Sequence, residues 1–90
     1  ISMEEHDLVV LSVGLAPADG SEALAKLLGL KMDEYGFFAS SEPKANPVAA
    51  LDGIFICGCA AGPKDIPDSV AEASAAAMEA VNYLREVDLL

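Results

Sequence analysis

Residues 53–70 read GIFICGCAAGPKDIPDSV and carry the strongest fold signal in the chain. The apolar run Gly53–Gly58 predicts a buried β-strand that ends at a glycine. A loop with two prolines follows, and Pro67 and Asp68 are typical of the first turn of a helix. Many nucleotide-binding folds hold a phosphate where a strand is followed by a tight loop and the start of a helix. An ordinary β–α connection has the same order of elements. Spacing alone therefore leaves both interpretations open.

A second apolar run lies near the N-terminus, at Asp7–Gly14. It is rich in β-branched residues, so Leu8–Val13 is predicted to be a strand that is buried on both faces. We expect it to pair in parallel with Ile54–Cys57, because helix-sized connections separate the two runs. The predicted fold class is therefore α/β: a small β-α-β-hairpin-β-α domain with a parallel strand pair, formed by residues 1–90 as a single domain.

The remaining segments are predicted from capping and turn residues. Ser21 is predicted to cap a short helix that stops at Gly29. Leu30–Ala39 is predicted to form a small hairpin, and Ser40–Asp52 to be mostly loop. A long helix with a surface of small residues is predicted over Pro67–Glu86.

Composition excludes several classes of function. Fifteen acidic and five basic residues give a formal charge of −10, which disfavours nucleic acid and anionic membranes as partners. No apolar run is long enough to span a bilayer, and no signal peptide is evident, so we expect a cytoplasmic protein with reduced cysteines. Much of the apolar fraction is alanine, which predicts a thin core.

The segment Gly53–Ala77 resembles the flavin-binding segment near the C-terminal end of the flavoprotein core in the heterodisulfide reductase A-type flavoproteins. That family reads much like G-[IV]-F-x-x-G-C-A-x-G-P-K-D-I-P-[DE]-[ST]-V-x-x-A-S-A-A-A, and nearly every non-variable position matches. The stretches Asp7–Pro17 and Leu27–Phe38 continue the resemblance. The pyridine-nucleotide disulfide reductases are more distantly similar. They carry an Asp that bonds the ribityl chain where this sequence has Cys59.

The resemblance implies that the chain is a fragment of a two-dinucleotide-binding-domain flavoprotein. It implies FAD binding and electron transfer through partner subunits, with iron–sulfur clusters elsewhere in the parent protein. The G-x-G-x-x-G fingerprint and a four-cysteine cluster motif are absent from the chain, so we expect it to bind FAD weakly or not at all by itself. The residues that the resemblance assigns to the cofactor are Gly58, Cys59, Ala60, Gly62, Pro63, Lys64, Asp65, Ile66, Pro67, Asp68, Ser69 and Val70.

Individual side chains in this segment keep alternative interpretations. Lys64 is either a cation near the flavin or half of a solvated pair with Asp65. Cys57 and Cys59 are interpreted as a small core residue and a small residue beside the flavin, since two thiolates do not complete a tetrahedral metal site. We predict neither a metal site nor a catalytic residue, and we interpret Glu72 as solvent-exposed.

Two functions remain open at this point. The first is the FAD-contacting part of a heterodisulfide reductase A-like electron-transfer flavoprotein, an oxidoreductase whose isolated segment is expected to be inactive. The second is a stand-alone interaction module that kept the fold and lost the cofactor. The expected partners are the remainder of the flavoprotein or other reductase subunits.

Overall fold

A computed structural model describes residues 1–88 of the chain. Its helices and strands are α1 (Ser21–Leu28), β1 (Ala49–Leu51), β2 (Ile54–Phe55) and α2 (Ile66–Glu86), with a one-turn 3₁₀ helix at Gly58–Ala60. This small arrangement of helices and strands confirms the predicted α/β class. None of the described helices is long and apolar enough to cross a membrane.

The sheet is an antiparallel hairpin. Ala49 lies opposite Phe55, and Leu51 lies opposite Ile54. The connection consists of Asp52 and Gly53 alone, which forces the strands to be antiparallel because a parallel pair needs a crossover of a dozen or more residues. The predicted parallel pairing of Ile54–Cys57 with Leu8–Val13 is therefore wrong for this structure. β1 also lies within Ser40–Asp52, a segment predicted to be mostly loop.

The N-terminal segment forms neither a helix nor a strand through residue 18. The large apolar side chains of Leu8–Val13, predicted to be buried, are 68–85% exposed. A strand is stabilised by neighbouring strands and by layers on its faces, and the described part of the chain provides neither. The extended segment gives a radius of gyration of 17.6 Å, against about 12 Å for a compact chain of this length.

The two helices lie close to their predicted positions. α1 begins at Ser21, but its N-cap is Gly20, one residue earlier than predicted. It stops at Gly29 as predicted, where a φ of 73° lets the N–H donate to Ala25 O. The start of α2 is one residue earlier than predicted, at Ile66, and its end matches the predicted Glu86.

The predicted hairpin at Leu30–Ala39 is confirmed as a single antiparallel bridge between Met32 and Phe38. Asp33 closes its turn, because the Asp33 N–H donates to Phe37 O at 2.8 Å. The Asp33 Oδ1 atom in turn accepts the N–H groups of Tyr35 and Phe37 at 2.9 and 3.0 Å. A local side-chain acceptor of this kind stabilises the turn without a second strand pair.

The described core is small, in agreement with the composition. Its buried side chains, all 3–6% exposed, are Ala25, Phe37, Val48, Ala50 and Ile56. Alanine contributes two of the five, so the area removed from water is modest. These residues come from α1, the hairpin, β1 and the positions just before β1 and after β2, whereas most of α2 is exposed.

Candidate functional site

Residues 58–65, which lie between β2 and α2, are called the connecting loop. It opens with the 3₁₀ turn, in which Ala61 N donates to Gly58 O at 3.1 Å and Gly62 N donates to Cys59 O at 3.3 Å. The Ala60 carbonyl accepts the N–H of Phe38 at 3.1 Å. The loop is thus anchored at one end to the hairpin as well as to β2.

The start of α2 is capped by the carboxylate of Asp65. Its Oδ1 atom accepts the N–H of Asp68 at 2.9 Å, and its carbonyl accepts both the N–H of Ser69 at 3.0 Å and the Ser69 hydroxyl at 2.8 Å. Helix N-termini often hold external anions, but here an internal carboxylate occupies that position. With Asp68 exposed beside it, the helix start is acidic and disfavours a bound phosphate.

Lys64 is paired with Glu72 across the first turns of α2. The Lys64 Nζ atom lies 2.7 Å from both carboxylate oxygens, and the side chains are 15% and 34% exposed. Glu72 Oε1 also accepts the N–H of Gly58 at 3.0 Å. The interpretation of Glu72 as solvent-exposed is therefore wrong, and so is the pairing of Lys64 with Asp65. Helical geometry places Glu72 almost two turns beyond Asp65, which sequence proximity did not indicate.

The residues assigned to the cofactor are consecutive in the chain apart from Ala61, and their exposed parts make up the candidate contact surface. Gly58, Gly62, Lys64 and Ser69 are half-buried. The exposed ones are Cys59, Ala60, Pro63, Asp65, Ile66, Pro67, Asp68 and Val70. Ile66 and Val70, at 80% and 61% exposure, are four residues apart on one face of α2. This surface offers apolar side chains, carboxylates and backbone to a ligand.

Two glycines of this surface adopt positive φ angles, and only Gly62 has free space beside its backbone. Gly62 has a φ of 148°, and a Cβ built there meets no atom within 4 Å. Gly58 has a φ of 65°, and a Cβ there would face the Ser69 side chain at 3.9 Å. A ligand can therefore approach the Gly62 backbone closely, which a larger residue would prevent.

A cavity of about 330 Å³ lies between the connecting loop and the N-terminal segment. Cys59 and Ala60 line one side, and Phe37 and Phe38 line another; its other lining residues are Ala16, Pro17, Ala18, Ser21 and Gly36. Pro17 and Gly36 meet at this cavity. Their close packing, with Pro17 Cγ 3.1 Å from a Cβ built on Gly36, depends on a contact between distant parts of the chain.

Both cysteines are free thiols. Cys57 is half-buried, and Cys59 is exposed with its Sγ atom 3.8 Å from Lys64 O. Within residues 1–88, no three His, Cys, Asp or Glu side chains are grouped closely enough to hold a metal ion.

No family model matches the chain. A protein of Archaeoglobus profundus, named as similar to the A component of heterodisulfide reductase, is 52% identical to this chain over 79 residues. The alignment covers 87% of this chain and 11% of the relative. The second iron-sulfur A component of CoB–CoM heterodisulfide reductase in Methanopyrus kandleri is 49% identical over 81 residues. The alignment covers 89% of this chain and 12% of the relative. The corresponding iron-sulfur component of Methanocaldococcus jannaschii is 55% identical over 74 residues. The alignment covers 81% of this chain and 11% of the relative. The chain spans about a tenth of the length of these curated relatives.

Proposed function

We propose that this chain, whose relatives identify it as a sequence of the heterodisulfide reductase A type, forms one wall of the FAD site in an electron-transfer oxidoreductase. The observation that carries the proposal is the connecting loop. Its residues match the flavin-binding motif of that family, and the half-buried Gly62 has free space where a side chain would lie. When bound, FAD supplies the two-electron chemistry, while the protein supplies binding and orientation.

The side chains of this surface fit the uncharged parts of FAD. Ile66 and Val70 offer apolar contact to a flat ring, and the exposed carboxylates of Asp65 and Asp68 accept hydrogen bonds from hydroxyl groups. The same carboxylates repel phosphate. The pyrophosphate is therefore proposed to lie on another part of the complete protein, in keeping with the missing G-x-G-x-x-G fingerprint.

The rest of the complete protein is also proposed to cover Leu8–Val13. This segment exposes large apolar side chains at successive positions, a pattern typical of a strand that is buried on both faces within a larger sheet. The remainder of the flavoprotein is proposed to provide the neighbouring strands for this segment. Two relatives are named as iron-sulfur components, so iron–sulfur clusters are proposed to lie outside this segment.

The test is flavin content of the full-length protein that contains this segment. Ile66→Glu places a carboxylate on the proposed contact surface at a side chain that is 80% exposed, so it should lower FAD affinity at least about tenfold without unfolding the helix. Asn82→Glu is the matched control, because it adds the same charge to an exposed position of α2 roughly 24 Å away along the helix. Equal FAD content in both variants would contradict the proposed contact.

An interaction module without cofactor is the second candidate, and the exposed apolar segment Leu8–Val13 favours it. Such a module would bind a partner through this segment and would need no flavin. The flavin content of the full-length wild-type protein separates the two functions. If that protein carries no FAD after anaerobic reconstitution, the result supports the interaction module.

A further inference from the structure

The Glu72 carboxylate joins the two ends of the connecting loop. One oxygen, Oε1, accepts the Gly58 N–H at 3.0 Å, where β2 leads into the 3₁₀ turn. Both oxygens lie 2.7 Å from Lys64 Nζ, where the loop leads into α2. Glu72 itself is held by α2, whose N-terminus is capped by Asp65. A single side chain on a capped helix thus restrains both ends of the loop.

The pair also determines what charge the loop presents. Lys64 is only 15% exposed and contacts both oxygens of its partner, so its charge is balanced locally by an equal negative charge. At a distance, such a pair acts on its surroundings as a dipole, whose field falls faster than that of a single charge. Removal of either partner would leave an unbalanced charge within a partly buried loop.

From these contacts we infer that Glu72 is a positioning residue that holds the connecting loop against α2 and sets the effective charge of Lys64 beside the flavin. The inference rests on the proposed FAD contact. If FAD is held here, it would accept electrons delivered through the rest of the protein and its reduced form would carry a negative charge, so an added positive charge beside it would favour reduction and an added negative charge would oppose it. Glu72 therefore keeps the Lys64 charge from raising the reduction potential.

Three variants of the full-length protein separate charge from positioning. Glu72→Gln keeps the length and an oxygen acceptor for the Gly58 N–H, but it leaves the Lys64 charge unbalanced. Lys64→Met keeps an unbranched chain and leaves the Glu72 charge unbalanced. The double variant K64M/E72Q removes both charges and retains the acceptor. FAD content and the two-electron reduction potential are measured for each by anaerobic redox titration.

The two single variants should shift the reduction potential in opposite directions. Glu72→Gln should raise the preference for reduced over oxidised flavin by about tenfold, which is about 30 mV for a two-electron couple, and Lys64→Met should lower it by a similar factor. The double variant should return to the wild-type potential. If Glu72 and Lys64 had a purely structural role, both variants should shift the reduction potential in the same direction or not at all, because a distorted loop does not depend on the sign of the remaining charge.

Positioning has a separate readout. In Glu72→Ala the Gly58 N–H loses its acceptor, and its hydrogen exchange should accelerate at least about tenfold, whereas Glu72→Gln should keep it protected. Full FAD content with unchanged or same-sign potentials would overturn the charge role of Glu72 and leave the proposed function intact. Absence of FAD from the wild-type protein would instead overturn both.

Discussion

Tyr83 of α2 lies directly against Gly53 in the β1–β2 turn, and a Cβ built on Gly53 would be 3.4 Å from both Cζ and Oη of the ring. The same ring meets Phe55 edge-on, with centroids 6.4 Å apart. The turn and the helix are therefore close-packed at a position where the backbone has a φ of 80°. Glycine satisfies both requirements, because it adopts this φ freely and has no Cβ.

Gly53→Ala should accordingly lower the free energy of unfolding by about 2 kcal/mol, through backbone strain of about 1–2 kcal/mol together with crowding against Tyr83. Urea unfolding of the chain measures the change. Gly20→Ala is the matched control, because Gly20 has a φ of 90° and an added methyl group there would meet no atom within 4 Å. An equal loss at both positions would show that the Tyr83 contact contributes nothing.

Asp65→Ala should lower the free energy of unfolding by about 1 kcal/mol, because the Asp68 N–H at the start of α2 loses its acceptor. Asp65→Asn retains an acceptor oxygen and should recover most of the loss. Circular dichroism during urea unfolding reports both. If alanine and asparagine were equally destabilising, the charge of the carboxylate rather than its capping bond would be the important property.

The chain alone should be colourless and should bind FAD weakly or not at all. It offers the connecting loop but no G-x-G-x-x-G fingerprint for the pyrophosphate, and its helix start is acidic. Titration of FAD fluorescence with the purified chain measures the affinity. Tight binding at one FAD per chain would contradict this prediction and would require a pyrophosphate site within the chain itself.

Val10→Asp should have different consequences in the chain and in the complete protein. Val10 is 81% exposed here, so the free energy of unfolding of the chain should change by less than about 0.5 kcal/mol. In the complete protein the proposed strand at Leu8–Val13 is buried, and a carboxylate there should cost several kcal/mol. Urea unfolding of the chain and of the complete protein, each with and without the substitution, measures both effects.

Hydrogen exchange provides the control for that comparison. The amides of Leu8–Val13 should exchange rapidly in the isolated chain and be protected in the complete protein. Rapid exchange in both, together with an unaffected complete protein in Val10→Asp, would show that the segment remains exposed and would remove the argument for a covering sheet.

Local sequence signals predicted several elements of this fold. The stop of α1 at Gly29 follows from the freedom of glycine at positive φ, and the hairpin at Leu30–Ala39 follows from the turn-forming Asp33. The extent of α2 follows from Pro67 near its start and an alanine-rich run after it that contains no glycine or further proline. In each case the cause lies within a few residues of its effect.

The sequence signals for the candidate site were likewise local. The motif from Gly53 to Ala77 identified the family and the segment of interest, and the relatives confirm that resemblance. The motif did not indicate that Glu72 reaches back to Lys64 and Gly58. A carboxylate on a helix is usually solvated, and only the path of the connecting loop brings its partners within reach.

By itself, the sequence determined which segments are helical, where they stop and which family the chain resembles, because capping, turn chemistry and motif identity are local properties. The tertiary structure decided which strands pair. β2 pairs with Ala49–Leu51 across a two-residue turn, and Leu8–Val13 stays exposed. An apolar, β-branched run specifies that a strand can form but not which strand lies beside it. That choice depends on the surfaces available, and within residues 1–88 no second layer covers the N-terminal run.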